Sequence, residues 1–144
     1  MNVSRVLRIL ITIIFVMAFI GVTISAYKRE ERMNALTTLS DASSSVAVHL
    51  ASEELVWEDE RGISHPEVVD PSKLSTIDGS WSCMGENYLL QTYLLYIEDG
   101  RERMIGPFGE AGGEKMSCSF SLPVSLRREG GVYPAKLRVI LWYD

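Results

Sequence analysis

The sequence predicts an α+β fold in which one long N-terminal helix, half in lipid and half in water, packs on a small antiparallel β-sheet. Three observations support this prediction. An uncharged apolar run lies near the N-terminus, a helical repeat of apolar residues follows it, and the last third of the chain alternates apolar and polar residues as strands do. With 144 residues, the chain has room for one modest domain beyond the membrane segment.

The apolar run extends from Ile9 to Ala26 (ILITIIFVMAFIGVTISA) without a charged residue, Pro, Asn or Gln. In a helix this run rises about 27 Å, and with Val6, Leu7 and Tyr27 it matches a hydrocarbon core of about 30 Å. A segment inside lipid must be helical, because its backbone groups find no other partners there. A core helix of a soluble protein usually keeps a polar face, which this run lacks.

A cleaved signal sequence is the alternative, because Arg5 and Arg8 give the basic start that signal peptides share. The run is, however, longer than the roughly 7–15 apolar residues of a signal peptide, and Ile24 stands where a small residue would precede a cut. We therefore expect a retained anchor, with a cytoplasmic basic tail at residues 1–8 and a transmembrane helix at 9–27.

Basic residues flank the apolar run on both sides, so they do not fix its orientation. The two cysteines, Cys83 and Cys118, both lie in segments that alternate like strands. An even number of cysteines in an exported domain suggests a disulfide, which would close a loop of about 35 residues and contribute roughly 3–4 kcal/mol. Two buried free thiols are the alternative. We expect the disulfide, and with it a cytoplasmic N-terminus and an extracytoplasmic C-terminal domain.

A helical period continues through residues 28–57, without Gly or Pro, as an amphipathic extension of the membrane helix. Its apolar seam is narrow and rich in small residues, so it requires a partner, which is either the domain's own sheet or a neighbouring helix. The seam residues that we expect to pack in this way are Leu36, Leu39, Ser43, Val46 and Leu50.

Residues 58–80 contain two glycines and two prolines among Asp and Ser, and they read as an irregular connection. The β-rich head is predicted at residues 81–144. Asp99-Gly100 and Glu129-Gly130-Gly131 are turn signals between segments of β-prone or alternating residues. Four antiparallel strands are predicted in this way, at residues 88–97, 101–108, 116–122 and 137–143.

Candidate metal ligands are few. His49 and Glu53 have the spacing of two ligands on one helix face, but His65 is the one other histidine, so we expect a solvated ion pair. An acidic cluster at the predicted helix end lacks the alternating spacing of a calcium loop. We therefore predict no metal and no cofactor. The cluster consists of Glu53, Glu54, Glu58, Asp59 and Glu60.

Enzymatic and nucleic-acid-binding functions are disfavoured. The glycine-rich stretch from Gly106 to Lys115 lacks the order of a phosphate loop, and no serine lies in a nucleophile elbow. From Met33 onward nine Lys and Arg stand against seventeen Asp and Glu, a balance that repels phosphate backbones. We expect a non-enzymatic protein that does not bind nucleic acid.

One motif lies inside the apolar run. Ala18, Gly21 and Ser25 share a helix face, and a pair of small residues four apart lets two membrane helices approach closely. The alternative is that these are ordinary small residues of a lipid-facing helix. We predict that this face packs against another helix, so that the partners are lipid and other membrane subunits.

The layout resembles archaeal and bacterial type IV pilin-like proteins. The resemblance rests on the short basic tail ending at Arg8, the uncharged run flowing into an amphipathic helix, and the β-rich head. The last segment, CSFSLPVSLRREGGVYPAKLRVILWYD, is similar to uncharacterised archaeal membrane-anchored proteins associated with pilus-type secretion systems. The resemblance implies assembly through the N-terminal helix with other pilin-like subunits, in the cytoplasmic membrane.

Two departures from the pilin pattern refine this expectation. Pilins usually carry a Glu early in the apolar run, where this chain has only Ile and Thr from Ile11 to Ile14. Their peptidase site usually has Gly or Ala where this chain has Arg8-Ile9. Together they favour an unprocessed structural or accessory subunit of a pilus-like filament or secretion assembly. The alternatives are an accessory subunit of another membrane complex and a membrane-tethered, exported ligand-binding domain.

Overall fold

The computed structural model describes residues 3–83 and 85–144, so the first two residues of the predicted tail lie outside the described part. The chain forms two compact units, Met1–Ala35 and Leu36–Asp144. A long N-terminal helix and a curled mixed sheet confirm the predicted α+β class.

Helix α1 extends from Val3 to His49, and a π-helical turn at Leu50–Glu54 follows it. The Leu55 amide closes this turn by donating to the Leu50 carbonyl at 2.8 Å. The helical region therefore ends before Trp57, where the sequence predicted its end, because the next residues form a strand that pairs within the sheet.

The described residues of the first unit form a bare helix. Residues 3–34 are all exposed, and no part of the apolar run among them is buried. Among the described residues this is the one helix long and apolar enough to cross a membrane. The hydroxyls of Thr12, Thr23 and Ser25 donate to the carbonyl four residues earlier, at 2.8–2.9 Å, so they remain hydrogen-bonded in an apolar medium.

The second unit contains a seven-stranded sheet instead of the four strands predicted. The strands are β1 Val56–Glu58, β2 Ser64–Val69, β3 Ser80–Cys83, β4 Glu86–Glu98, β5 Arg101–Gly109, β6 Ser117–Arg128 and β7 Gly131–Tyr143. Their order in the sheet is β1-β2-β6-β7-β4-β3, and β5 pairs with β4 on the same side as β3. Most pairs are antiparallel, but β2 and β6 are parallel through Val68–Ser125 and Val69–Leu126.

Residues 58–80, predicted as irregular, contain strand β2 and a 3₁₀ helix at Pro71–Thr76. Pro66 misled the prediction, because proline is usually a strand breaker. It is tolerated here because it falls in the irregular part of the β1–β2 pairing, and β2 pairs with β6 only beyond it. The 3₁₀ helix is capped by Asp70, whose carboxylate accepts from the Ser72 amide at 2.9 Å.

The core lies between the sheet and the second half of the helical region. Leu39, Ser43, Val46 and Leu50 are all fully buried, and the inward residues of β4 and β7 contact the same core. Of the two partners that the seam allowed, the chain's own sheet is therefore the one observed. Leu36, which the sequence placed in the same seam, stays 37% exposed.

The predicted disulfide is wrong. Cys83 lies at the end of β3 and Cys118 near the start of β6, with β4 and β7 between them, and both are free thiols. Neighbouring strands are about 4.8 Å apart, so two intervening strands exceed the roughly 7 Å that a disulfide allows between Cα atoms. Both thiols contact the core, but the sequence pattern within each strand does not give the order of the strands.

Candidate assembly site

The first candidate surface is the small-residue face of α1. Ala18, Gly21 and Ser25 line a shallow apolar depression together with Val22 and Ala26. A Cβ atom placed on Gly21 would have nothing within 4 Å, so the backbone of the helix is open to a close neighbour. The only polar group that this triad carries on its side chains is already used, because Ser25 Oγ donates to the Gly21 carbonyl at 2.8 Å.

The structure divides the packing surface that the sequence predicted. The seam residues Leu39 to Leu50 are occupied by the chain's own sheet, whereas Ala18, Gly21 and Ser25 remain uncovered. Arg29 and Glu30 also line this depression, so its surface changes from apolar to charged after Ala26, where a membrane boundary is expected. The uncovered face is thus confined to the part of α1 that can cross the membrane.

The second candidate surface is the outer face of the sheet, which the sequence did not reveal. One end of this face is covered by the segment between β5 and β6. Gly112 lies so close to Trp142 that an added Cβ would fall 2.4 Å from the indole side chain, and Trp142 is buried. Lys115 Nζ lies 3.6 Å from Asp144 Oδ1, which ties this segment to the end of β7.

The other end of the outer face is an open groove of about 560 Å³. Leu95 and Ile97 of β4 form one wall, and Pro123 and Pro134 lie on the opposite side. Ile97 is 59% exposed, and together with Leu95 and the two prolines it forms a contiguous apolar patch, which is more informative than a single exposed residue. The groove is therefore an apolar strip without a cover in the described part of the chain.

Two opposite charges flank the Leu95–Ile97 strip of this groove, one on each neighbouring strand, and Lys136 lies between this strip and Pro123. Lys136 lies beside Leu95 on β7, and Glu102 lies beside Ile97 on β5. Neither has an ion-pair partner among the described residues. Arg138, two residues beyond Lys136, lies over the Tyr93 ring at 5.7 Å, and its Nε is buried without a hydrogen-bond partner in the described chain. The outer face thus presents cations on β7 and a carboxylate on β5.

The third candidate surface is the turn between β1 and β2. One carboxylate oxygen of Asp59 accepts from the amides of Arg61 and Ile63, both at 2.9 Å, and the Asp59 amide donates back to the Ile63 carbonyl at 3.0 Å. These hydrogen bonds hold the pKa of Asp59 below its usual 3.8. The bond from the Ile63 amide is the largest cause, and His65 also lowers the pKa. The turn is ordered, yet Ile63 is 54% exposed at its tip.

The predicted pair of His49 and Glu53 is present, with Nδ1 and Oε2 3.4 Å apart, but it is part of a larger group. Glu54 lies 3.5 Å from the other ring nitrogen, and the Trp81 ring lies 5.1 Å from the imidazole. The described residues contain no group of three or more His, Cys, Asp or Glu placed to hold a metal ion. The sequence pattern did not reveal the contact with Trp81, because this residue lies thirty-two residues after His49 and reaches the helix through strand β3.

No family model, curated protein or solved structure matches this chain. Its role is therefore inferred from the three surfaces above, each of which is exposed and none of which is an enclosed cavity.

Proposed function

We propose that the chain is a non-enzymatic, membrane-anchored structural or accessory subunit of a type IV pilus-like filament or secretion assembly. Helix α1 anchors it in the cytoplasmic membrane, with the N-terminus in the cytoplasm and the β-rich head outside. Other subunits bind through the face formed by Ala18, Gly21 and Ser25, which is called the small-residue face below.

The observation that carries this proposal is the division of α1. The head completes its core with the second half of the helical region, in which Leu39, Val46 and Leu50 are fully buried. The small-residue face is left exposed in a segment that can cross a membrane. Helices already in lipid gain little from the hydrophobic effect, so they associate where small residues allow close packing.

The head also offers an exposed surface of its own. The groove on the sheet combines apolar walls with one ammonium and one carboxylate, which suits recognition of another surface. These features favour a role in assembly over catalysis.

The orientation needs a test of its own, because the free cysteines remove the disulfide that first supported it. The resemblance to pilin-like proteins is what supports a cytoplasmic N-terminus. Protease added to intact cells should digest the head while a tag fused before Met1 stays protected. Protection of the head instead would place it in the cytoplasm and contradict the proposal.

The helix interface is tested with Gly21→Ile in the full chain. The substitution keeps the segment apolar, so insertion survives, but the added side chain separates the two backbones. We expect association in membranes, measured by crosslinking and native gels, to fall by about fivefold or more. Val16→Ile, which adds one methylene on the opposite face of the helix, is the matched control and should leave association unchanged.

Two outcomes would contradict the proposal. Equal amounts of the same higher-order species in the parent and Gly21→Ile would show that the small-residue face only contacts lipid, and a tethered ligand-binding head would be the better account. Purification from native membranes should also recover a secretion ATPase and its polytopic platform protein. Recovery of a different membrane complex would assign the chain to that complex.

A further inference from the structure

The groove and the β1–β2 turn have complementary chemistry. The groove offers an apolar strip bounded by Lys136 on one side and Glu102 on the other. These two residues lie on β7 and β5, which flank β4, so about 10 Å separates their strands. A surface that fits here needs an apolar side chain, a carboxylate and a cation close together.

The β1–β2 turn provides those three groups within four residues. Glu60 and Arg61 are exposed neighbours of opposite charge, and neither has an ion-pair partner in the described chain. Ile63 adds an exposed aliphatic side chain at the same tip. The backbone of the turn is already ordered by Asp59, so little conformational entropy is lost when the turn binds.

We propose that the β1–β2 turn of one chain docks in the outer-face groove of a second copy. Ile63 enters the apolar strip, Glu60 pairs with Lys136, and Arg61 pairs with Glu102. This inference rests on the proposed function, and it names the head-to-head contact that accompanies association of the membrane helices.

The contact is heterologous, because the turn and the groove are different surfaces of the same chain. Each copy therefore keeps one free turn or one free groove, and the contact repeats along a row of subunits until it is closed into a ring. This property matches a filament or a ring-shaped assembly better than a closed dimer. The turn contributes no residue to the groove of its own chain, so the groove is open to a second copy.

The first experiment asks whether Glu60 and Lys136 meet between chains. Full-length ¹⁴N and ¹⁵N chains are mixed, reconstituted together in phosphatidylethanolamine–phosphatidylglycerol vesicles, and treated with a carbodiimide that joins a carboxylate directly to an amine. Mass spectrometry should find a Glu60–Lys136 peptide pair that combines one light and one heavy half. A pair found only with matched isotopes, or no pair at all, overturns the inference.

The second experiment exchanges the charges. Glu60→Lys and Lys136→Glu should each lower the fraction of species larger than a dimer, by about tenfold, because each change places like charges in contact. The double variant restores opposite charges and should recover the parent level within about twofold. Glu114→Lys, in the segment that covers the other end of the outer face, is the matched control and should have no effect, because Glu114 is exposed and lies outside the groove.

The outcomes separate this inference from the proposed function. If the double variant does not recover, the turn–groove contact is excluded. If Gly21→Ile still reduces association in that case, the helix interface stands without the head contact. If neither the charge exchange nor Gly21→Ile changes the higher-order species, both ideas are excluded. Occupation of the groove by a small apolar molecule from the membrane, seen by mass spectrometry of the native protein, also overturns docking by a second copy.

Discussion

Two halves of one helical region differ in what covers them. Residues 9–26 are exposed along their whole length, although they are apolar all round. In the stretch from Leu36 to Leu50, one stripe is fully buried beneath the sheet, while residues such as Val48 remain 51% exposed. The apolar pattern of a helix therefore shows that a partner is needed, whereas the rest of the chain decides which partner it is.

Small residues serve both halves in different ways. Ala47 is fully buried, so its small side chain lets the sheet approach the helix closely. Gly21 has nothing within 4 Å of an added Cβ, so the same property is unused within this chain. The comparison predicts that enlarging a small residue destabilises the fold when the residue lies between Leu36 and Leu50. The same change between residues 9 and 26 should weaken only association with other subunits.

The largest effect is expected from a charge in the buried stripe. Val46→Asp places a carboxylate in the core without a partner, and we expect destabilisation of more than about 4 kcal/mol, enough to unfold most of a marginally stable head. Val48→Asp, two residues away on the exposed side, should change stability by only about 0.5 kcal/mol.

Near-ultraviolet circular dichroism and limited proteolysis of the full chain in detergent measure this difference. Loss of the head signal in Val46→Asp, with Val48→Asp unchanged, is the expected result. Equal sensitivity of the two positions would mean that the second half of the helix is not buried against the sheet.

A smaller effect should follow from enlarging the small residues themselves. Ala47→Ile forces three additional carbon atoms into a filled core and should destabilise the head by about 1–3 kcal/mol. Gly21→Ile adds even more side chain in the other half, yet the unfolding midpoint of the head should not move. Chemical denaturation followed by tryptophan fluorescence measures both. A shifted midpoint in Gly21→Ile would show that the two halves are not independent.

The parts of the fold that the sequence predicts are those with a local pattern. The apolar run is unbroken over its length, the seam has a helical period, and the residues around Phe120 and Val139 alternate as in strands; the structure has the expected elements. Parallel pairing of β2 with β6, and with it the number of strands, depends on contacts between distant residues, which no local pattern encodes.

The same contrast between local patterns and distant contacts explains which candidate sites could be predicted from the sequence. Ala18, Gly21 and Ser25 could be identified because one helix places them on one face. The groove could not, since β4, β5, β6 and β7 each contribute residues to it. The disulfide between Cys83 and Cys118 was predicted without knowledge of this strand order. A buried polar atom such as Thr92 Oγ1, which has no hydrogen-bond partner in the described chain, also gives no signal in the sequence.

The two thiols provide a test in which no stability change is expected. Because β4 and β7 separate Cys83 from Cys118, alkylation of the unfolded, non-reduced protein should label both. A reducing agent should leave the melting temperature of the head unchanged, since there is no bond to break. If alkylation of protein isolated under non-reducing conditions labels neither thiol, the result contradicts the observed strand order.

The last effect is a local one, and it concerns pH and the turn that follows the buried half of the helix. The amides of Ile63 and Arg61 bind the Asp59 carboxylate and lower its pKa from 3.8, and His65 at 3.5 Å acts in the same direction. A group whose pKa is lower in the folded state stabilises that state at pH values above its unfolded pKa. This contribution disappears as the pH falls through the folded pKa. The turn should therefore stay ordered above about pH 4 and loosen below it.

Amide chemical shifts of Arg61 and Ile63, followed by NMR from pH 6 to pH 2, measure this titration directly. Their midpoint should lie below 3.8, and Asp59→Asn should abolish it, because the amide side chain has no charge to lose. His65→Ala should move the midpoint upward by a smaller amount, since the Ile63 bond is the first cause. The buried stripe around Val46 should show no change over the same range, because it contains no titrating side chain. A midpoint at or above 3.8 would mean that the carboxylate does not hold the turn.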